Sequence, residues 1–127
     1  MTLEECQKEM EQWRSLPLER LAYLMGYAKA LDPLHRPAEE IWQRVLPEHQ
    51  RLDRHFSRGA ADALEEVMFP RLLAAGVLAE RIRQAMRALE STDFLLWVHA
   101  QLDSELAGRY PKRLARIAAR LGRRAEA

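Results

Sequence analysis

The last nineteen residues of the chain concentrate positive charge, with seven basic residues against one acidic residue. The basic residues are Arg109, Lys112, Arg113, Arg116, Arg120, Arg123 and Arg124. A helix advances about 100° per residue, which places four of these side chains on one face. The four are Arg113, Arg116, Arg120 and Arg123. We therefore predict a basic C-terminal helix at about 111–124, with a proline in its first turn.

A row of arginines on a rigid helix has a defined chemistry towards phosphate. The planar guanidinium group grips a phosphate group in two places. Each phosphate that is neutralised on a nucleic-acid backbone releases counterions, so binding strengthens at low salt. Tyr110 is the only aromatic residue beside the row, which gives base stacking little support. The pattern predicts contact with the nucleic-acid backbone without reading of its sequence.

Other interpretations of the basic row stay open at the level of sequence. A terminal helix that docks through Leu114, Ile117 and Leu121 would leave a solvated basic face, and the helix dipole favours cations near the C-terminal end. An acidic protein or an anionic lipid surface would also be attracted to such a face. A partner of the row is thus expected to be anionic, and nucleic acid or an acidic protein is the leading choice.

Histidines followed four residues later by a carboxylate form a second pattern that bears on chemistry. His49 with Asp53 and His99 with Asp103 share helix faces and could present nitrogen and oxygen ligands to one metal ion. The Glu-x-x-His spacing of carboxylate-bridged bundles is missing from the sequence. A simpler interpretation is an exposed ion pair worth a few tenths of a kcal/mol. These four residues therefore support only an alternative function, a helical metal-binding protein or small hydrolase.

Catalytic motifs of other kinds do not stand out. The glycines lie too far apart for a phosphate-binding loop, and no serine has the context of a nucleophile elbow. Cys6 is the only cysteine, so the chain has no internal disulfide, and a reducing compartment such as the cytoplasm is expected. The longest uncharged apolar run, 72–79, is far shorter than the roughly 20 residues of a membrane span. The sequence favours a cytoplasmic protein that is not an enzyme and has no cofactor.

The elements that position these residues are expected to be helices. Ala, Leu, Glu and Arg are abundant, while the β-branched residues that strands prefer are scarce. Arg far outnumbers Lys and Asn is absent, a bias that fits a GC-rich or thermophilic source. At 127 residues, of which 48% are hydrophobic, one helical core is the default. We predict an all-α fold, a single domain over 1–127 that forms a bundle of about six to seven helices.

Capping residues and prolines locate the predicted helices. Thr2 and Glu5 form a capping box. Pro70 is expected to end a long fourth helix that Gly59 weakens in its middle, and Gly76 to form a left-handed cap. Thr92 or Asp93 is expected to cap a helix that runs to about residue 107. The expected starts are Thr2, Pro17, Pro37, Glu48, Leu78, Thr92 and Pro111.

These observations predict a noncatalytic helical accessory or adaptor subunit. It would contact nucleic-acid backbone, or another acidic partner, through its basic C-terminal helix. A homo-oligomer is a further option, because apolar residues of the first helix repeat at spacings of three and four. Those residues are Leu3, Cys6, Met10 and Trp13.

Overall fold

A computed structural model describes the backbone of residues 1–126 and the side chains of residues 1–122. Across that range the chain is helical and contains no strand, which confirms the predicted all-α class. The helices are α1 (Leu3–Met10), α2 (Leu18–Leu31), α3 (Glu39–Val45), α4 (His49–Ala63), α5 (Phe69–Ala74), α6 (Ala79–Ala88), α7 (Ser91–Ala100), α8 (Ser104–Arg109) and α9 (Pro111–Glu126). None of the helices in residues 1–126 has both the length and the apolar character needed to cross a membrane.

The helices group into two compact units, Met1–Met68 and Phe69–Ala127. Buried apolar side chains occur in both of them. Leu21, Leu24 and Leu52 are fully buried in the first unit, and Val98 is fully buried in the second. The expectation of one domain over the whole chain stays a prediction.

Local signals set the start of α1 as predicted. The Thr2 hydroxyl accepts a hydrogen bond from the Glu5 amide, and the Glu5 carboxylate accepts one from the Thr2 amide, both at 3.1 Å. This is the expected capping box. The helix ends at Met10, because the next residues tighten into turns in which amides bond to carbonyls three residues earlier.

Two glycines let α2 and α4 pack with their backbones in contact. A Cβ atom on Gly26 would lie 2.0 Å from the carbonyl oxygen of Phe56, and one on Gly59 would lie 2.0 Å from that of Tyr23. Only glycine fits a backbone approach this close. Gly59 therefore has a packing role, beyond the mere weakening of α4 that its helix propensity predicts.

Polar side chains link the same two helices along their length. Arg51 donates to Glu19 at 2.6 Å, and the Tyr23 and Tyr27 hydroxyls donate to Asp62 and Glu66 at 2.6 and 2.8 Å. The paired residue numbers increase together, so α2 and α4 run in the same direction. Burial, together with the hydrogen bond to Asp62, raises the pKa of Tyr23 to about 12.

Pro70 does not end the fourth helix, and that prediction is wrong. α4 passes through a single π turn, Leu64–Met68, into α5. Pro70 is the second residue of α5, in a first turn where a missing amide hydrogen breaks no necessary hydrogen bond. The segment ends at Gly76, whose φ of 90° confirms the predicted left-handed cap.

The helix predicted to run to residue 107 is divided into α7 and α8. Asp103 makes the division, because its carboxylate accepts from the amides of Glu105 and Leu106 at 3.0 and 3.3 Å and so caps α8. α7 starts at Ser91, and no side chain caps it, so the expected cap by Thr92 or Asp93 is wrong. Asp93 instead lies in the first turn of α7, where its side chain is available to another helix.

Candidate functional site

The basic helix predicted at the C-terminus is α9, which begins at Pro111 and packs against α6, α7 and α8 of the second unit. Ile117 is buried, and Leu114 and Leu121 are half-buried. The apolar side of α9 thus faces the protein as expected, although Ala118 is exposed.

Most of the predicted basic residues project into solvent. Arg113 alone among those with a described side chain is half-buried. The exposed ones are Arg109, Lys112, Arg116 and Arg120. Arg123 and Arg124 lie outside the described side chains, so their part in the row stays a prediction.

Arg113 is held by a carboxylate from another helix. Its Nε atom donates a hydrogen bond to Oδ1 of Asp93 at 2.8 Å, and its Nη2 atom lies 2.7 Å from the same oxygen in an ion pair. The charge of Asp93 also lies at the positive N-terminal end of α7, which favours it. The pair therefore fixes the position of Arg113 and compensates its charge.

Arg116 and Arg120 are in a different situation. No carboxylate among side chains 1–122 forms an ion pair with either of them. They lie four residues apart on one helix, so their side chains occupy neighbouring positions on its surface. Within the described part of the arginine face of α9, these two guanidinium groups are exposed and have no carboxylate partner.

An open cleft of about 430 Å³ brings the three arginines together. Its described lining comprises Leu89, Asp93, Arg113, Arg116, Ile117, Ala119 and Arg120. Leu89 and Ile117 are buried and give the cleft an apolar floor. Known small-ligand clefts have volumes of about 300–1,000 Å³, so this cleft has the size of a binding site.

The charges of the lining suit an anion. Three guanidinium groups face one carboxylate, so the described lining carries a formal charge of +2. Asp93, the acid of this described lining, already accepts a hydrogen bond from Arg113 and forms an ion pair with it. The arrangement is therefore fitted to bind a negative group.

The structure gives two of the metal candidates, His49 and Asp103, other contacts. His49 is exposed with its Nδ1 atom 2.9 Å from the carbonyl oxygen of Leu46, and the Asp103 carboxylate caps α8. Among the described residues, no group of three or more His, Cys, Asp or Glu side chains could hold a metal ion. The alternative function gains no support from this geometry.

The sequence predicts the arginines that line the cleft, but it does not predict the residues that form its other walls. The helical period places Arg113, Arg116 and Arg120 on one face. Leu89 and Asp93 belong to the end of α6 and the start of α7, and no periodic signal connects them to α9. The sequence predicts a cap by Thr92 or Asp93, and a capping role would turn the Asp93 carboxylate towards its own helix.

No protein-family model, curated protein or solved structure matches the chain. Family membership therefore does not contribute to the assignment of a function.

Proposed function

We propose that the chain is a noncatalytic helical accessory subunit that binds the phosphate backbone of nucleic acid through the basic surface of α9. The observation that carries this proposal is the contrast within the cleft. Asp93 compensates Arg113, while Arg116 and Arg120 have no carboxylate partner among the described side chains. Two exposed guanidinium groups beside a cleft are positioned to receive an anion.

The geometry of α9 supports phosphate as that anion. Residues four apart on a helix are separated by about 6 Å along its axis, so Arg116 and Arg120 can grip one phosphate group or two neighbouring groups. Arginine makes bidentate, charge-assisted hydrogen bonds to phosphate oxygens. Arg109 and Lys112 are also exposed and extend the basic surface towards α8.

The composition of the cleft supports binding without catalysis. Its described lining includes no histidine, cysteine, serine, threonine or lysine. These are the side chains that most often act as nucleophiles or transfer protons. Because Asp93 is already engaged by Arg113, the lining offers arginines that hold a charge rather than groups that react.

Salt-dependent binding of the full-length protein to a labelled oligonucleotide of mixed sequence tests the proposal. The logarithm of the association constant should fall linearly with the logarithm of the salt concentration. The double variant Arg116→Ala, Arg120→Ala should bind more weakly. Each phosphate contact contributes about 0.7 to 0.9 to the slope, so the slope should decrease in size by about 0.7 to 0.9 if the two arginines hold one phosphate and by about 1.4 to 1.8 if they hold two.

A matched control removes the same charge elsewhere. Arg36 and Arg54 are exposed residues of the first unit, and the variant Arg36→Ala, Arg54→Ala should retain the slope of the unmodified protein. Binding that does not depend on salt, or equal losses in both double variants, would contradict the proposal. Competition by polyglutamate as strong as that by nucleic acid would point to an acidic protein partner instead.

A further inference from the structure

The charge of the cleft distinguishes between two kinds of phosphate group. An internal phosphodiester carries one negative charge, whereas a phosphomonoester carries about −1.5 to −2 at pH 7, because its second pKa is about 6. The described lining, with three arginines and Asp93, carries a formal +2. A phosphomonoester therefore matches the charge of the described lining more closely than a phosphodiester does.

The size of the cleft favours the end of a nucleic-acid strand as its ligand. Its volume of about 430 Å³ is that of a site for a small ligand, so it can receive one terminal nucleotide. Leu89 and Ile117 lie in the floor, where the less polar parts of a terminal nucleotide can pack beside the charged wall.

We infer that the cleft between α9 and the α6–α7 junction binds the terminal phosphomonoester of a nucleic-acid strand. The inference rests on the proposed function and specifies its ligand. Arg116 and Arg120 grip the phosphate oxygens, and Arg113, held in place by Asp93, completes the positive wall. The remaining basic surface, including Arg109 and Lys112, follows the backbone beyond the terminal nucleotide.

The test compares oligonucleotides of one sequence that carry a 5′-phosphate, a 3′-phosphate or no terminal phosphate, each labelled at an unmodified position. The full-length protein should bind one phosphorylated form about tenfold more tightly than the unphosphorylated form, as expected for added charge-assisted hydrogen bonds. The preferred form identifies which strand end is bound. An unphosphorylated oligonucleotide longer by one nucleotide controls for the added charge.

The source of the preference is tested with the two double variants. Arg116→Ala, Arg120→Ala should remove the preference for a terminal phosphate, and Arg36→Ala, Arg54→Ala should retain it. The preference should also weaken when the pH falls below about 6, where the terminal phosphate loses its second charge. A preference that is retained in the cleft variant would overturn the inference.

The failure of the inference is distinguishable from failure of the proposed function. Equal affinities for all three oligonucleotides, with salt-dependent binding intact, would overturn the terminal-phosphate assignment alone. Absence of binding to every oligonucleotide would overturn both. A phosphoserine peptide that binds more tightly than any oligonucleotide would overturn the nucleic-acid assignment and leave phosphate recognition in the cleft.

Discussion

Asp93 and Arg113, twenty residues apart in sequence, form an ion pair in which Arg113 Nε donates a hydrogen bond to Asp93 Oδ1 at 2.8 Å and Nη2 lies 2.7 Å from the same oxygen. The pair connects the first turn of α7 to the first turn of α9. It holds one guanidinium group at the wall of the cleft and compensates its charge. The anion-binding capacity of the cleft therefore depends on Arg116 and Arg120, for which no described side chain supplies a carboxylate.

Asp93→Asn should increase the affinity for a mixed-sequence oligonucleotide, because it leaves the charge of Arg113 uncompensated. The slope of the salt dependence should become steeper by about 0.7 to 0.9, the contribution of one further phosphate contact. The same variant should lose about 0.5 to 1 kcal/mol of unfolding free energy, since the pair is partly exposed and the helix dipole favours the lost charge. Binding titrations and urea denaturation measure the two effects, and an unchanged or lower affinity would contradict this account of Asp93.

Gly26→Ala should destabilise the protein by about 1 to 3 kcal/mol or more, as overpacking of a tight contact does. The reason is that the added methyl group would lie 2.0 Å from the Phe56 carbonyl oxygen, a backbone atom that cannot move aside alone. Gly108→Ala is the matched control, because a Cβ atom there meets nothing within 4 Å. It should be neutral or stabilising by up to about 1 kcal/mol through helix propensity. Equal midpoints of urea denaturation for the two variants would refute the close packing of α2 and α4.

Tyr23 should ionise near pH 12, well above the ordinary pKa of 10.0, because burial and the Asp62 hydrogen bond oppose the phenolate. A raised folded-state pKa contributes stability that is fully present below pH 10 and is lost as the pH rises towards 12. Between pH 10 and pH 12, the unfolding free energy of the Tyr23→Phe variant should therefore fall less than that of the unmodified protein. Phenolate absorbance and denaturation at a series of pH values check the prediction, and ionisation of all tyrosines near pH 10 would disprove it.

Local sequence signals were sufficient for much of the fold. The capping box of Thr2 and Glu5 and the left-handed turn at Gly76 depend on residues within one turn of each other, so spacing alone predicts them. The basic face of α9 follows from the helical period in the same way. These features need no knowledge of which helices are neighbours.

The remaining features depend on contacts between segments distant in sequence. By sequence alone, Gly26 and Gly59 are expected only to weaken the helices that contain them, because glycine has a low helix propensity. The structure shows that α2 and α4 pack against each other at these two residues. The close approach then requires residues without a side chain. Likewise, Asp93 is a plausible cap by sequence, and only the packing of α9 beside α7 turns it into the partner of Arg113. The prediction that Pro70 ends the fourth helix is wrong because a preceding π turn places Pro70 in the first turn of α5, where a helix tolerates proline.

Mapping of backbone amide chemical shifts in the full-length protein during titration with an oligonucleotide tests the central claim most directly. The account predicts that the largest changes occur at the cleft, in Leu89, Asp93, Arg113, Arg116, Ile117 and Arg120, and that they diminish as salt is added. Changes that are confined to the first unit, or a spectrum that stays the same at low salt, would contradict it.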